Sequence, residues 1–341
     1  MKENHLLIIT NLPAFYKENL YKEISKYRKV SIIFNGVQIE ERRADFFVNF
    51  KGIKTYSLVS KFSIFRLFQL IKLLVDIKFD ELLIGGWDSF DLWVASYLSK
   101  KKKNSMILES SIFESNIKSY KGVLKSFFLK RIHKVYASGN NQIELLKQLD
   151  YEGAIIKTKG VGLINLTIKK DYIKKEKVTK FLYVGRFSEE KNILFLINYF
   201  KNNAALSLSL IGYGRQEKEL IEKVRLIDNI HIIGAVNNKD LHNYYQSHDV
   251  FLLASAREPW GLVVEEAVYN GIPAIVSDRV GCAYEFLIEG ENGFIFKFGN
   301  EKDFDNKIKM ITNKNVYNKL TKNIHETDFK DLFYKQVSAY I

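Results

Sequence analysis

The sequence predicts an α/β protein made of two doubly wound, Rossmann-like domains. Two observations carry this reading. Short apolar runs of strand type alternate with helical segments along the chain, an order that builds parallel sheets. The length, 341 residues, is more than one hydrophobic core ordinarily organises. The boundaries fall at 1–162 and 163–328, with a terminal segment over 329–341.

In the first domain, Leu6–Thr10 reads as a strand. Its loop, Asn11–Tyr16, contains Pro13, which bars a helix there. A helix over about Lys17–Tyr27 and a strand over Val30–Phe34 follow. The first loop has no Gly-x-Gly-x-x-Gly, so the dinucleotide fingerprint is absent. Phe46–Tyr56 is strand-like and interrupted by Gly52. Ile64–Phe79 reads as an amphipathic helix with Ile64, Leu67, Phe68, Ile71, Leu74 and Val75 on one face. Leu82–Ile84 is a strand ending in Gly85-Gly86, and Trp87-Asp88-Ser89 caps a helix to about Leu98. A lysine run, Lys100–Lys103, precedes the strand Ser105–Leu108. Glu109, Ser110 and Ser111 follow at that strand's carboxyl end, a ligand-facing position in such sheets, although a serine there could equally cap a helix.

Ser119–Val135 interleaves Lys121, Lys125, Lys130, Arg131 and Lys134 with Val123, Leu124, Phe127, Phe128 and Ile132. The pattern suits an anionic bilayer, or a helix packed on its own sheet with its lysines in water. The packed reading is the better one for the aromatics. Tyr136–Gly139, a helix over Gln142–Leu149 and a last strand and hinge over Ile155–Gly162 close the domain.

A Lys-rich connection, Ile168–Lys180, leads to the strand Phe181–Val184, which delivers Gly185 and Arg186. A helix then starts at Lys191 and runs through Phe200. Two cations at a helix N-terminus add to its partial positive charge and suit a diphosphate, Arg offering a forked contact. Leu206–Ile211 is a strand leading to Gly212-Tyr213-Gly214, and Gln216–Leu226 is helical. Ile230–Ile233 is a strand followed by Gly234-Ala235-Val236, and Lys239–Ser247 is a helix.

The most informative stretch is Ser255–Ser277. The strand Val250–Leu253 enters a loop with Glu258, Pro259, Trp260 and Gly261. A helix over Leu262–Asn270, stopped by Gly271 and Pro273, leads to the strand Ala274–Val276. The loop therefore lies at a strand's carboxyl end and opens a helix, where doubly wound sheets bind ligands. The amides of Gly261 and Leu262 suit a phosphate. Glu258 and Glu266 flank the helix start, eight residues apart. Glu265 and Glu266 are adjacent and must face different directions. Carboxylates accept hydrogen bonds from paired sugar hydroxyls.

E-P-W-G-L-V-V-E-E-A followed by G-I-P-A-I-V-S resembles the paired-glutamate signature of the retaining glycosyltransferases of family 4. Gly185, Arg186 and Lys191 resemble the family's G-R-x(4)-K pattern, and Gly212-Tyr213-Gly214 its glycine turn. The resemblance is specific over about Phe181–Phe296 and architectural before that. It implies the GT-B fold, with the two domains facing across a cleft and the last helix crossing back to the first domain. It implies transfer of a sugar, with retention, from a nucleotide-diphosphate sugar to a hydroxyl acceptor. UDP is the expected nucleotide, and a glycan or lipid-linked glycan of surface polysaccharide the expected acceptor. Glu258, Arg186 and Lys191 take the catalytic roles. Gly185, Val236, Trp260, Gly261, Leu262 and Glu266 take the donor, with Glu266 on the ribose. Asn11, Trp87 and Glu109 are expected on the acceptor side. The usual glycines of the family's first loop are missing here. No metal ion and no cofactor are expected, because the two cations receive the leaving diphosphate.

Composition sets limits. The single cysteine, Cys282, excludes an intrachain disulfide and reads as a packing residue. No secretory signal and no run of ~18–20 apolar residues stands out, so a cytoplasmic chain, peripheral at the inner membrane face, is expected. The net charge is +13, and the excess lies in residues 1–162, with 27 Lys+Arg against 16 Asp+Glu. Such asymmetry fits an anionic membrane or acidic acceptor, or a solvated lysine-rich surface. No nucleic-acid motif accompanies it. Two other readings stay open: a nucleotide-sugar epimerase of similar fold, and a non-catalytic polyanion-binding protein.

Overall fold

The computed structural model describes residues 4–11, 13–36, 50–59, 64–115, 117–166 and 171–341. The chain divides into two compact units, Met1–Leu163 with Lys330–Ile341, and Ile164–Phe329.

In the first unit, described strands β1 (His5–Thr10), β2 (Lys29–Phe34), β3 (Lys54–Ser57), β4 (Glu81–Ile84), β5 (Asn104–Leu108), β6 (Lys134–Ala137) and β7 (Ala154–Lys157) form one parallel sheet in the order β3-β2-β1-β4-β5-β6-β7. Its helices are α1 (Phe15–Ser25), α2 (Ile64–Asp76), α3 (Phe90–Leu98), α4 (Tyr120–Leu129) and α5 (Asn140–Gln148). β1 is buried on both faces, as its unbroken apolar run requires. One core layer joins the sheet to Leu70 of α2, Leu92 of α3, Phe128 of α4 and Leu145 of α5. The opposite layer holds Leu20, Tyr21 and Ile24 of α1 with Val337 and Tyr340 of the terminal segment. The ring of Tyr340 stacks on Tyr136 at 4.4 Å.

In the second unit the strands are β8 (Lys180–Val184), β9 (Ser207–Ile211), β10 (Ile230–Gly234), β11 (Val250–Leu253), β12 (Ala274–Ser277) and β13 (Gly293–Phe296). They pair in parallel in the order β10-β9-β8-β11-β12-β13. Helices α6 (Ile193–Lys201), α7 (Glu217–Val224), α8 (Leu241–Ser247), α9 (Leu262–Tyr269), α10 (Ala283–Phe286), α11 (Glu301–Thr312) and α12 (Lys314–Glu326) complete it, and α13 (Phe329–Ser338) ends the chain. In each sheet the strand order reverses beside its first strand. The reversal falls between β1 and β4 in the first unit and between β8 and β11 in the second. That reversal opens a crevice at the strands' carboxyl ends.

Several expectations change. The strand expected over Phe46–Tyr56 forms only as β3; residues 46–49 lie outside the described residues, as do 168–170 of the expected Lys-rich connection. Lys191 does not start a helix. It ends a 3-10 turn, Glu189–Lys191, and Asn192 in a left-handed conformation (φ 56°) separates that turn from α6. No described helix starts at Ser111, which removes the capping alternative there.

The apolar face expected to unite α2 is not its buried face. Arg66 points inward and is 2% exposed, with Leu70 beside it. The Arg66 guanidinium donates to Asp91 of α3, Nε at 3.1 Å from each carboxylate oxygen and Nη2 at 2.5 Å from Oδ2. It also donates to the carbonyls of Val59 and Asn35. Turning Arg66 inward turns Ile64, Phe68 and Val75 outward to solvent. On α4 the packed reading holds for Phe128, and Ile132 beyond it is also buried, but Val123, Leu124 and Phe127 are exposed.

Candidate functional site

In the second unit the reversal point brings the loops after β8 and β11 together. Gly185 leaves β8 with its amide on the Ile211 carbonyl at 3.0 Å. The backbone then meets the glycine turn after β9: Phe187 N donates to Tyr213 O at 2.8 Å and Gln216 N to Phe187 O at 3.0 Å. A Cβ on Gly212 would lie 1.8 Å from the Gly185 carbonyl oxygen, and one on Gly214 2.5 Å from that of Phe187. Glycine is required at both positions so that the two loops can approach. Beneath them, the phenol of buried Tyr183 donates to the Arg186 carbonyl at 2.8 Å. Burial, with Glu258 and Glu190 nearby, pushes that phenol well above its ordinary range.

The loop after β11 is tied on two sides. Ala256 N donates to Glu190 O at 2.7 Å, which fixes it to the 3-10 turn carrying Lys191. Gly281 N donates to Glu258 O at 2.9 Å, and Cys282 N to Trp260 O at 2.8 Å. A side chain at Gly281 would strike the Pro259 carbonyl at 1.9 Å. These ties place the Lys191 ammonium against Glu258 Oε2, with both side chains largely buried. Two expected catalytic residues, 67 positions apart in sequence, are therefore one ion pair. Arg186 is exposed at the loop's edge, its guanidinium 3.9 Å from Glu190.

Gly261 caps α9 at φ 99°, a conformation that glycine adopts without strain. Leu262 begins the helix, half-buried. The first-turn amides of a helix have no intrahelical acceptor and remain available to an anion. The two adjacent glutamates do face apart. Glu266, half-buried, accepts from the buried Tyr245 hydroxyl of α8 at 3.0 Å. Burial outweighs that bond and lifts the Glu266 carboxyl to about 7. Glu265 is buried and accepts from the Trp260 indole N–H at 2.5 Å. The Trp260 side chain thus packs into the wall, its polar atom already engaged. Val236 follows β10, half-buried. Cys282 is buried, its thiol pushed well up by burial, in keeping with a packing role.

Burial holds Glu265 protonated up to about pH 8, whereas the unfolded side chain titrates near 4.5. The folded state therefore binds more protons across that window. Stability is expected to fall as pH rises from about 5 to about 8, by up to ~1.4 kcal/mol per unit. Glu265→Gln, uncharged throughout, should flatten the slope and be the more stable protein at pH 8 in urea titrations. An unchanged slope would assign the effect to other groups.

The first unit carries its own polar group at the carboxyl ends of β1, β4 and β5. Asn11 follows β1, Trp87 is buried after β4, and Glu109 follows β5. Lys17 of α1, buried, pairs with Glu109 at 3.2 Å. Lys125 of α4 lies over the Trp87 ring at 4.6 Å. Burial lifts the Asp88 carboxyl above its ordinary range, with Lys125 opposing and Glu109 adding to the rise. Among the described residues, the hydroxyls of Thr10 and Ser111 are buried without a hydrogen-bond partner, an arrangement that favours a polar ligand. Sequence reasoning missed Lys17 and Asp88. Their only signal was position, just after Pro13 and just after Gly86.

Residues 165–327 match the family model described as glycosyl transferases group 1. The O-antigen biosynthesis glycosyltransferase WbnH of Escherichia coli is 35% identical over 132 residues, 39% of this chain and 37% of that protein. The matched stretches span half or less of the curated relatives' own length. Among solved structures, the lipopolysaccharide outer core galactosyltransferase WaaB superposes with TM-score 0.75 at 16% identity, over 99% of each chain. Anabaena Alr3699/HepE in complex with UDP and glucose superposes with TM-score 0.68 at 16% identity, over 97% of each. These likenesses show a shared fold, the two Rossmann-like units of GT-B.

Proposed function

From the match of residues 165–327 to the family model described as glycosyl transferases group 1, we infer that this chain transfers a sugar from a nucleotide-diphosphate donor to a hydroxyl acceptor. The observation that carries the reading is the Lys191–Glu258 pair at the second sheet's reversal point, beside the Gly261 helix start. As the anomeric bond breaks, negative charge collects on the departing diphosphate. Lys191, Arg186 and the first amides of α9 meet it, so the proposal assigns that role to no metal ion. Glu258, held by Lys191, accepts from donor-sugar hydroxyls and orients the ring. Glu266 accepts from the ribose hydroxyls. Gly185 lets the donor approach the backbone, and Val236 borders the base. Trp260 contributes by fixing the loop that carries Glu258.

We assign retention to the reaction and UDP to the donor, in line with the motif resemblance. The hydroxyls of Thr10 and Ser111, with Glu109, Lys17 and Asn11, suit a hydroxyl-rich acceptor in the first unit. A glycan or lipid-linked glycan of surface polysaccharide fits that chemistry, made by a chain peripheral to the inner membrane face.

A panel of nucleotide sugars screened by thermal unfolding tests the donor. At a concentration 100 times Kd, the cognate donor should add ~2.7 kcal/mol and raise the second unit's midpoint by about 5–10 °C. Glu266→Gln should shrink the shift. A panel without any shift, or a shift untouched by Glu266→Gln and Arg186→Ala, would overturn the donor site.

A further inference from the structure

We propose that the outward faces of α2 and α4 form one surface that docks the first unit on an anionic phospholipid bilayer. This extends the lipid-linked-acceptor part of the reading above, but it stands on separate residues. A helix on a sheet ordinarily buries its apolar stripe and exposes its polar one. Here both helices also leave large apolar side chains in water. On α4, Tyr120, Val123, Leu124 and Phe127 recur at i, i+3, i+4 and i+7, and all four are exposed, Tyr120 at 71% and Val123 at 70%. The face turned to the core is short, comprising Gly122, Phe128 and Leu129. On α2, Phe65 is 77% and Val75 75% exposed, and Ile64 and Phe68 are exposed as well. The buried Arg66–Asp91 pair fixes that orientation.

The two stripes belong to one surface. α2, α3 and α4 cover the same side of the first sheet. Exposed Tyr97 of α3 stacks on Phe127 of α4 at 6.3 Å and links the helices. Solvated apolar area of this extent marks an interaction face.

Charge selects the occupant. Lys72 stands within the α2 stripe, and Lys118, Lys121 and Lys130 flank that of α4, all exposed. The acids of the same two helices and their flanks are few, Asp76, Asp80 and Glu114. Lysines that ring large apolar side chains match a bilayer, which takes rings and methyls at the acyl boundary and ammonium groups at anionic headgroups. A second copy of this chain would bring the same positive face and be repelled. Contact between Lys125 of α4 and Trp87 joins the docking helix to the acceptor-side group, so a lipid-anchored acceptor would be delivered beside it.

Co-sedimentation of the full chain with vesicles tests this. Binding is expected to vesicles of phosphatidylglycerol and phosphatidylcholine, much less to phosphatidylcholine alone, and to weaken in high salt. Lys121→Glu with Lys130→Glu should weaken binding at least about tenfold. Phe65→Ser with Phe127→Ser should do so too, and at high salt as well. All four positions are exposed, and the charge pair serves as the test should the apolar pair disturb folding. Binding unchanged in both variants, or self-association in sedimentation velocity with no vesicle binding, would overturn the proposal. Transfer to a soluble acceptor analogue should remain intact in both variants, which separates failure of this surface from failure of the transferase reading.

Discussion

Lys191→Ala is expected to lower sugar transfer by about 10²–10³-fold, the range typical of losing one preorganised charge at the point where charge develops. The ammonium is largely buried and its neighbour is Glu258, so little water competes for it. In the resting site the pair neutralises itself. Under the proposed transfer, the negative charge that develops on the departing diphosphate as the anomeric bond breaks adds to what Lys191 attracts, and that added attraction arises only towards the transition state. The loss should therefore appear in kcat and kcat/KM together, with a smaller change in donor KM. Glu258→Gln keeps the shape and an acceptor for Lys191 but removes the charge, and should lose transfer to a similar degree. The pair also matters to the fold, because removing Lys191 strands a buried carboxylate. The double variant, Lys191→Ala with Glu258→Gln, separates the two effects: it should recover stability in urea while transfer stays lost. Wild-type turnover in either single variant would remove the assignment.

The largest loss of stability is expected in the first unit, from Arg66→Ala or Asp91→Ala, at about 3–5 kcal/mol each. Arg66 and Asp91 are both buried, and each removal leaves the other charge without its counterion. The carbonyls of Val59 and Asn35 would also lose a donor. Replacing both charges with apolar residues of similar volume, such as Arg66→Met with Asp91→Leu, should restore much of the loss. Urea unfolding followed by a probe in the first unit checks this. Equal stability in all the variants would mean that the pair does not hold α2 in place.

That pair also shows where sequence periodicity stops. The apolar repeat in Ile64–Phe79 identified the helix, and α2 forms there, but the repeat could not say which face is buried. An arginine inside an amphipathic pattern reads as solvent-facing unless its partner is known, and Asp91 lies 25 residues away on another helix. On α4 the same ambiguity let bulky residues stand for core when most of its stripe is outside. Lys191 is a smaller case: a helix was expected to begin there, but Asn192 in the left-handed region separates it from α6.

By itself the sequence determined the order of elements and singled out the loops of the candidate site, because apolar runs, glycine turns and acids at fixed spacing are local signals. It marked Gly212 and Gly214 as a glycine turn and Gly261 as a helix start, without saying what surrounds them. The structure supplied the carbonyls and side chains that any Cβ would strike. Tertiary structure alone decided that Lys191 and Glu258 form one pair, that Tyr245 holds Glu266 while Trp260 holds Glu265, and that two apolar stripes face water. Each of these depends on groups distant in sequence or on different helices and loops. Burial and pairing arise only when the chain brings such groups together.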